Sequence, residues 1–266
     1  MMNKRTLEYL NRLGYYEPVT PTVQHLNALQ NRHLHRIPFE NLDIHLGREI
    51  ILDRDRIYNK IVLGNRGGFC FEVNSLFQEL LEALGYTCYL ISCAVFSEVE
   101  QAFTIEGGHA AIVVLLNGKR WLVDVGFGDG IQFPVTIPGN QSERHNHRYF
   151  QVFEMDQQTF QLMKSDDCVK WIPMYRFQDL PVELNYFKPM CYFHQTSLTS
   201  PFTQRRICTK LVPNGRITLT GDRIIRTFRD DRQETSIDIQ SFDNYLNDLF
   251  DMRVNGDWIT PSKEPT

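Results

Sequence analysis

Residues 66–85 read RGGFCFEVNSLFQELLEALG. Within this stretch Val73, Leu76, Phe77, Leu80, Leu81 and Leu84 recur at i, i+3, i+4, i+7, i+8 and i+11. That is the period of an α-helix with one whole face buried, and Gly85 supplies its stop. Two glycines precede the helix, where the backbone can take tight or positive-φ geometry. Cys70 therefore lies at or near the helix N-terminus. Free N–H groups and the macrodipole there favour an anion and help a thiol ionise, and Arg66 adds a positive charge nearby in sequence. A buried structural cysteine is the commoner fate of the residue, and it stands beside the nucleophile reading. Cys88, Cys93, Cys168, Cys191 and Cys208 lack such a context and read as packing residues.

Downstream the pattern changes. Cys88–Phe96, His109–Leu116 and Lys119–Phe127 are short runs rich in Val, Ile, Leu and aromatics, which read as strands. Asn117-Gly118 between the last two is a strong hairpin signal, because a type I′ turn needs positive φ at both central residues. A two-residue loop pairs Leu116 with Lys119, sets Asp124 opposite Ala111 and sets His109 opposite Gly126. His109 and Asp124 then project from the same face as diagonal neighbours, about 7–8 Å apart at Cβ. Gly126 leaves space beside His109. A base and its orienter would look like this: Asp124 fixes the tautomer, and the other imidazole nitrogen faces a thiol. A strand-end histidine with a local hydrogen bond is the plainer reading. A cysteine at a helix start makes the constellation much less accidental.

The rest of the chain is ordinary in composition. It has 266 residues, room for two or three packed subdomains, with 42% hydrophobic and 23% charged residues. Net charge is −4 with a pI near 6.1, which argues against nucleic acid. Apolar runs such as Ala110–Leu116 are too short to span a bilayer. The opening segment lacks an apolar signal core, so a cytoplasmic protein with six free thiols is expected. No Cys-x-x-Cys pair occurs, and no metal is expected. Thr20 with Pro21 reads as a helix start before Val23, Leu26 and Leu29. Asp53 reads as the cap of a short helix carrying Ile57 and Ile61 and stopped at Gly64. Tyr149–Phe153, Ile207–Val212 and residues 216–220 read as strands, with Asn214-Gly215 as a turn. Ser241 could cap a helix burying Phe242, Tyr245, Leu246 and Leu249. Ile137–His147 reads as an exposed loop, which makes the His145-x-His147 pair a solvated one. Gly126-x-Gly128-x-Gly130 is a weak phosphate signal, and Arg205, Arg206 and Lys210 could meet the phosphates of a ligand but read more readily as a solvated strand face.

Several of these residues fall in motifs that strongly resemble the arylamine N-acetyltransferases. They are Ile37-Pro38-Phe39-Glu40-Asn41-Leu42-Asp43, the 66–72 segment, Gly108-His109, Val123-Asp124-Val125-Gly126-Phe127-Gly128 and Gln195-Thr196-Ser197-Leu198-Thr199-Ser200-Pro201-Phe202. Their order and intervals match as well, and the resemblance runs from about residue 7 to residue 220. It implies an α+β fold with a cysteine-protease-like catalytic core. The helical bundle would span residues 1–85, an antiparallel β-barrel-like region 86–195 and an α/β lid 196–266. It also implies acetyl-CoA as donor and ping-pong transfer to an aromatic amine or hydrazine, by a monomer or homodimer. Cys70 would carry the acetyl group, His109 activate it and Asp124 orient His109. Phe39, Val95 and Phe127 match acceptor-pocket positions, and Gly126, Phe127 and Gly128 a stretch close to coenzyme A. Glu40 and Arg66 are candidates to pair behind the nucleophile. Gly107-Gly108 and Asp129-Gly130 are local variants that leave donor and acceptor preference open. A cysteine hydrolase or transglutaminase-like enzyme, or an amide synthase using a carrier-bound thioester, would use the same three residue types. A non-catalytic binder that kept the scaffold would have no need of all three. A resting thiolate–imidazolium pair is expected, with a thiol pKa around 3.5–7.5.

Overall fold

The structure, a computed structural model, describes residues 3–139, 141–145, 147–229 and 231–258. Asn3 caps α1 (Lys4–Leu13) by accepting from the Thr6 N–H, and Thr22 caps α2 (Val23–Arg36) by accepting from His25. The cap expected at Thr20 lies two residues too early. Thr20 contacts the His25 ring through its backbone, and Pro21 stays outside the helix. After β1 (Phe39–Glu40) and α3 (Leu42–His45), Asp53 caps α4 (Arg54–Tyr58) as expected. A single π turn, Asn59–Leu63, continues α4 to Gly64. Then comes α5 (Cys70–Ala83), whose face of Val73, Leu76, Phe77, Leu80 and Leu81 is buried. Its Glu72 reaches back to accept from the Phe69 N–H at 2.8 Å.

The large sheet contains β2 (Thr87–Ser97), β3 (Ala102–Phe103), β4 (His109–Leu116), β5 (Lys119–Val123) and β6 (Val135–Ile137). It continues through β7 (Glu143–His145), β8 (Arg148–Glu154), β9 (Thr159–Ser165) and β10 (Ile172–Gln178). The order is β6-β5-β4-β2-β10-β9-β8-β7, antiparallel throughout, with β3 paired to β2. The sheet curls back on itself: just after β6, Gly139 N–H donates to the Val152 carbonyl of β8 at 2.8 Å. The result is a nearly closed barrel. Alternation along β4 splits its side chains between two cores. Ala110, Ile112 and Val114 pack towards α5, while Ala111 and Val113 face the barrel interior with Leu122, Val152 and Tyr175.

A 3₁₀ turn (Leu184–Phe187), α6 (Lys188–Thr196) and α7 (Pro201–Gln204) lead to a second sheet. There β11 (Ile207–Val212), β12 (Gly215–Thr220), β13 (Arg223–Phe228) and β14 (Asp231–Ser236) run antiparallel, and β1 from the N-terminal region pairs with β11. On this sheet α8 (Phe242–Phe250) buries Phe242, Leu246 and Phe250. The β11–β12 turn is displaced one residue from the expected Asn214-Gly215. Val212 pairs with Gly215, so Pro213 and Asn214 are the turn, with Asn214 at φ 64. Residues 137–147 also depart from an exposed loop. They hold β7, and His145 is buried between Phe133 and Phe150, where burial lowers its pKa to about 4. Asn140 and Asn146 of that stretch lie outside the described residues, as do residues 1–2 and 259–266.

Candidate active site

Cys70 is the first residue of α5 and is buried. The two glycines before it do not serve positive φ. At Gly67 a Cβ would stand 2.2 Å from the Pro38 carbonyl oxygen, so the residue is needed for close approach of two backbones. The expected space at Gly126 is filled in the same manner. A Cβ there would meet Asn74 Nδ2 at 2.7 Å and Cys70 Cα at 2.9 Å. Glycine thus lets the segment after β5 lie directly against the start of α5, which brings the end of one hairpin strand to the cysteine.

The hairpin has the register its sequence indicates. Leu116 pairs with Lys119 and Ile112 with Val123, and Asn117 and Gly118 both take positive φ. His109 opens β4 opposite Cys93 of β2. It shares the barrel-facing side with Asp124, and His109 Nε2 lies 2.8 Å from Asp124 Oδ2. The Tyr175 hydroxyl donates to the same oxygen at 3.1 Å. Asp124 Oδ1 accepts from the Gly126 N–H at 2.8 Å and from Asn74 Nδ2 at 3.1 Å. Burial pushes the Asp124 carboxyl up, but the adjacent His109 and these hydrogen bonds outweigh it and lower its pKa. An ionised carboxylate only accepts, so His109 Nε2 carries the proton and Nδ1 is left with its lone pair.

The sulfur of Cys70 lies within reach of the backbone N–H groups of Ala110 and Phe71, which lower its pKa. Burial acts first and most strongly in the other direction, helped by Cys191 and Asp124, and holds the thiol well above its ordinary value. Desolvation of the sulfur therefore exceeds the pull of the helix start, the reverse of the direction expected from sequence.

Phe127 packs edge-on against His109 at 5.2 Å and lies 5.3 Å from the Tyr175 ring. Val95 pairs with Tyr175 across β2 and β10. Phe39 lies in a different aromatic group, 5.5 Å from Phe69 and 6.1 Å from Phe202, next to the residue preceding Cys70. Gly128, at φ 82, faces Thr209 of β11. Arg66 does meet Glu40, through Nε at 3.0 Å and Nη2 at 2.6 Å. Arg206 is not on a solvated face: its guanidinium lies against the rings of Phe242 and Trp258, and Lys210 lies over Phe250. All six cysteines are free. Among the described residues no group of three or more His, Cys, Asp or Glu is placed to hold a metal ion, and no helix is long and apolar enough to cross a membrane.

Sequence reasoning missed Asn74, Tyr175 and His194. Asn74 joins the two halves of the site: its Nδ2 donates to the Ala110 carbonyl at 2.7 Å, and its Oδ1 accepts from the Val125 N–H at 3.0 Å. A signal for it existed, since it is a polar residue one turn after Cys70 on the same helix face. His194 lies against Phe69 and Phe71 and contacts the Gly108 carbonyl through Nε2 at 3.2 Å. Nothing local in sequence marks Tyr175 or His194.

A family model described as N-acetyltransferase matches residues 22–259. The chain is 31% identical over 241 residues to the arylamine N-acetyltransferase, pineal gland isozyme NAT-10, of Gallus gallus, covering 83% of this chain and 82% of that one. It is 27% identical over 231 residues to arylamine N-acetyltransferase 1 of Homo sapiens, covering 80% of each. Among solved structures it is similar to the arylamine N-acetyltransferase from Salmonella typhimurium, at TM-score 0.89 and 25% identity over 96% of this chain and 93% of that one. The fold is also that of the Mycobacterium marinum enzyme in complex with CoA, at TM-score 0.85 and 24% identity over 93% and 92% of the two chains. By the span of the family match, which includes the whole Cys70–His109–Asp124 constellation, the chain belongs to the arylamine N-acetyltransferase family.

Proposed function

We propose that this protein transfers an acetyl group from acetyl-CoA to an aromatic amine or hydrazine through a thioester on Cys70. The observation that carries the reading is the His109–Asp124 contact of 2.8 Å beside a cysteine at a helix start. His109 Nδ1 takes the Cys70 proton, and the sulfur attacks the acetyl carbonyl. Coenzyme A leaves as a thiol carrying that proton. The amine then attacks the Cys70 thioester, passes a proton to Nδ1 and departs as the amide, and the thiol is restored. The ion pair forms inside a buried site without changing its net charge, which is how a thiol raised by burial still becomes a nucleophile. The nearby backbone N–H groups of Ala110 and Phe71 favour the anion of the sulfur.

Phe127 and Val95, grouped around Tyr175, and Phe39 beside Phe69 are assigned to the acceptor side. Gly126, Phe127 and Gly128 are assigned to the donor. A division at residues 85 and 195, and a cytoplasmic setting, complete this reading. Mass measurement of the intact protein after mixing with acetyl-CoA alone tests it. One acetyl group on Cys70, discharged by an arylamine much faster than by water, is expected. Discharge by water at the same rate points to the hydrolase chemistry, and no acetylation of Cys70 overturns the reading.

A further inference from the structure

Next to the segment that follows Phe127, two guanidinium groups share one exposed carboxylate. Arg216 of β12 has its side chain only 14% exposed, and its Nε lies 3.8 Å from Asp129 Oδ1. Among the described contacts it makes a single hydrogen bond, from Nη1 to Thr209 Oγ1 at 3.3 Å. Arg148 of β8 donates from Nη1 to Asp129 Oδ2 at 2.7 Å and from Nε to Asp166 at 3.2 Å. Asp129 and Asp166 are 66% and 74% exposed. Burial lowers the pKa of Arg216, Arg148 adds to that, and Asp129 only partly offsets it. A largely buried cation whose free donors open to solvent, repelled by a second cation and held by one solvated acid at long range, is under-neutralised. Such a charge is costly unless an anion completes it.

The position of the pair says which anion. Gly128 faces Thr209, which holds Arg216, and Phe127 packs on His109. A thioester whose carbonyl lies at Cys70 and whose tail leaves past Phe127 and Gly128 therefore runs towards Arg216. We propose that Arg216, with Arg148, is the seat for a phosphate group of the acyl donor, and that Asp129 is a carboxylate the phosphate displaces. The seat selects nucleotide-bearing thioesters over short phosphate-free ones. Guanidinium and phosphate make bidentate charge-assisted bonds, so the exchange of one exposed acid for a phosphate favours the donor. The proposal rests on the acetyl-CoA reading above.

Calorimetric binding of coenzyme A, dephospho-coenzyme A and pantetheine to the protein and two variants tests it. Arg216→Gln is expected to weaken coenzyme A about ten-fold or more and to leave pantetheine unchanged. A loss confined to coenzyme A assigns the seat to the 3′-phosphate, and a loss shared with dephospho-coenzyme A assigns it to the diphosphate. Asp129→Asn, at an exposed position, is expected to tighten coenzyme A binding, the opposite sign to any general disruption. Unchanged coenzyme A affinity in both variants, or an Arg216→Gln loss equal for pantetheine, overturns the seat. Protein that binds coenzyme A through the seat but leaves Cys70 unacetylated supports the seat and defeats the acetyl-transfer reading. Protein acetylated on Cys70 whose coenzyme A affinity ignores both variants does the reverse.

Discussion

At Asp124 both carboxylate oxygens are occupied, Oδ2 by His109 and Tyr175 and Oδ1 by Gly126 and Asn74. The Gly126 N–H and the Asn74 amide N–H only donate, whereas the Tyr175 hydroxyl can rotate to accept and the imidazole can change tautomer. Asp124→Asn therefore keeps its oxygen towards Gly126 and Asn74, and the amide N–H on its other side forces the wrong His109 tautomer. We expect the variant to fold, with kcat/KM down by roughly a thousand- to ten-thousand-fold; activity within ten-fold of the parent would show that orientation of His109 by Asp124 is dispensable. The raised Cys70 pKa gives a second prediction. If sulfur ionises only by passing its proton to His109, iodoacetamide alkylation from pH 5 to pH 9 will stay measurable below the ordinary thiol range in the parent. In His109→Gln the base that takes the proton is gone, the thiol stays protonated until higher pH, and the rate falls. Superimposable profiles would leave His109 no part in activating the sulfur. Cys70, His109 and Asp124 are legible in sequence because each follows from a local rule, a helix start or a hairpin register. The thiol's direction was not, because burial of the sulfur depends on Cys191 and on β4, far from it in sequence.

Among the elements, the legible ones are those whose period is strong and whose ends are punctuated. The α5 helix, with six apolar residues in phase and Gly85 after it, and β4–β5 with Asn117-Gly118 between them are examples. Neither β9 nor β10 was legible: Thr159, Gln161, Lys164 and Ser165 leave β9 few apolar residues, Pro173 and Arg176 interrupt β10, and both are strands because β2 and β8 lie on either side of them. Ambiguity at α2 came from two threonines two residues apart, of which only the inner one reaches a free N–H. That helix carries a less visible constraint. His33 faces Phe77 of α5 at 5.2 Å and Tyr9 of α1 at 6.1 Å, and both of its ring nitrogens are buried without a hydrogen-bond partner. Burial, with Arg12 nearby, lowers its pKa to about 3. The unfolded value is about 6.5, so the unfolded chain binds the proton first. His33 therefore leaves stability intact above that pH and removes it as pH falls towards 3, by about 1.4 kcal/mol per unit. Denaturation of His33→Phe at pH 7 and pH 5 should show a stability difference between the two smaller than the parent's by about 2 kcal/mol. An unchanged difference would mean that His33 finds water or a partner in solution.

Across the molecule, a buried ion network links regions that the barrel alone does not join. Glu40 of β1 is fully buried and accepts from Arg66 at 2.6 Å and from the Leu42 N–H at 2.7 Å. Arg66 also meets Asp43 of α3 at 3.0 Å, and Lys60 of the π turn lies 2.7 Å from both Asp43 and Glu72. Glu72 in turn holds the Phe69 N–H one residue before Cys70. Because β1 pairs with β11, the same cluster ties the start of α5 to the C-terminal sheet. Burial works against the charge on Arg66, but Glu40 and Asp43 outweigh it and raise its pKa, so the cation persists at every pH at which the protein folds. Removing Arg66 leaves Glu40 charged and buried, with only Lys60 at 3.9 Å and the Leu42 N–H beside it, which costs about 3–5 kcal/mol. For a chain of this size that is a fall in Tm of roughly 10 °C. Arg66→Ala should show it, and because the network spans β1, α3 and α5, activity should be lost over the same temperature range as the fold. Pairing Glu40→Gln with Arg66→Met removes both charges and should recover part of the loss, since an uncharged pair needs no compensation. If Arg66→Ala costs under 1 kcal/mol, or if the double variant is no better than the single one, the network does not join these regions energetically and the barrel and the C-terminal sheet stand independently.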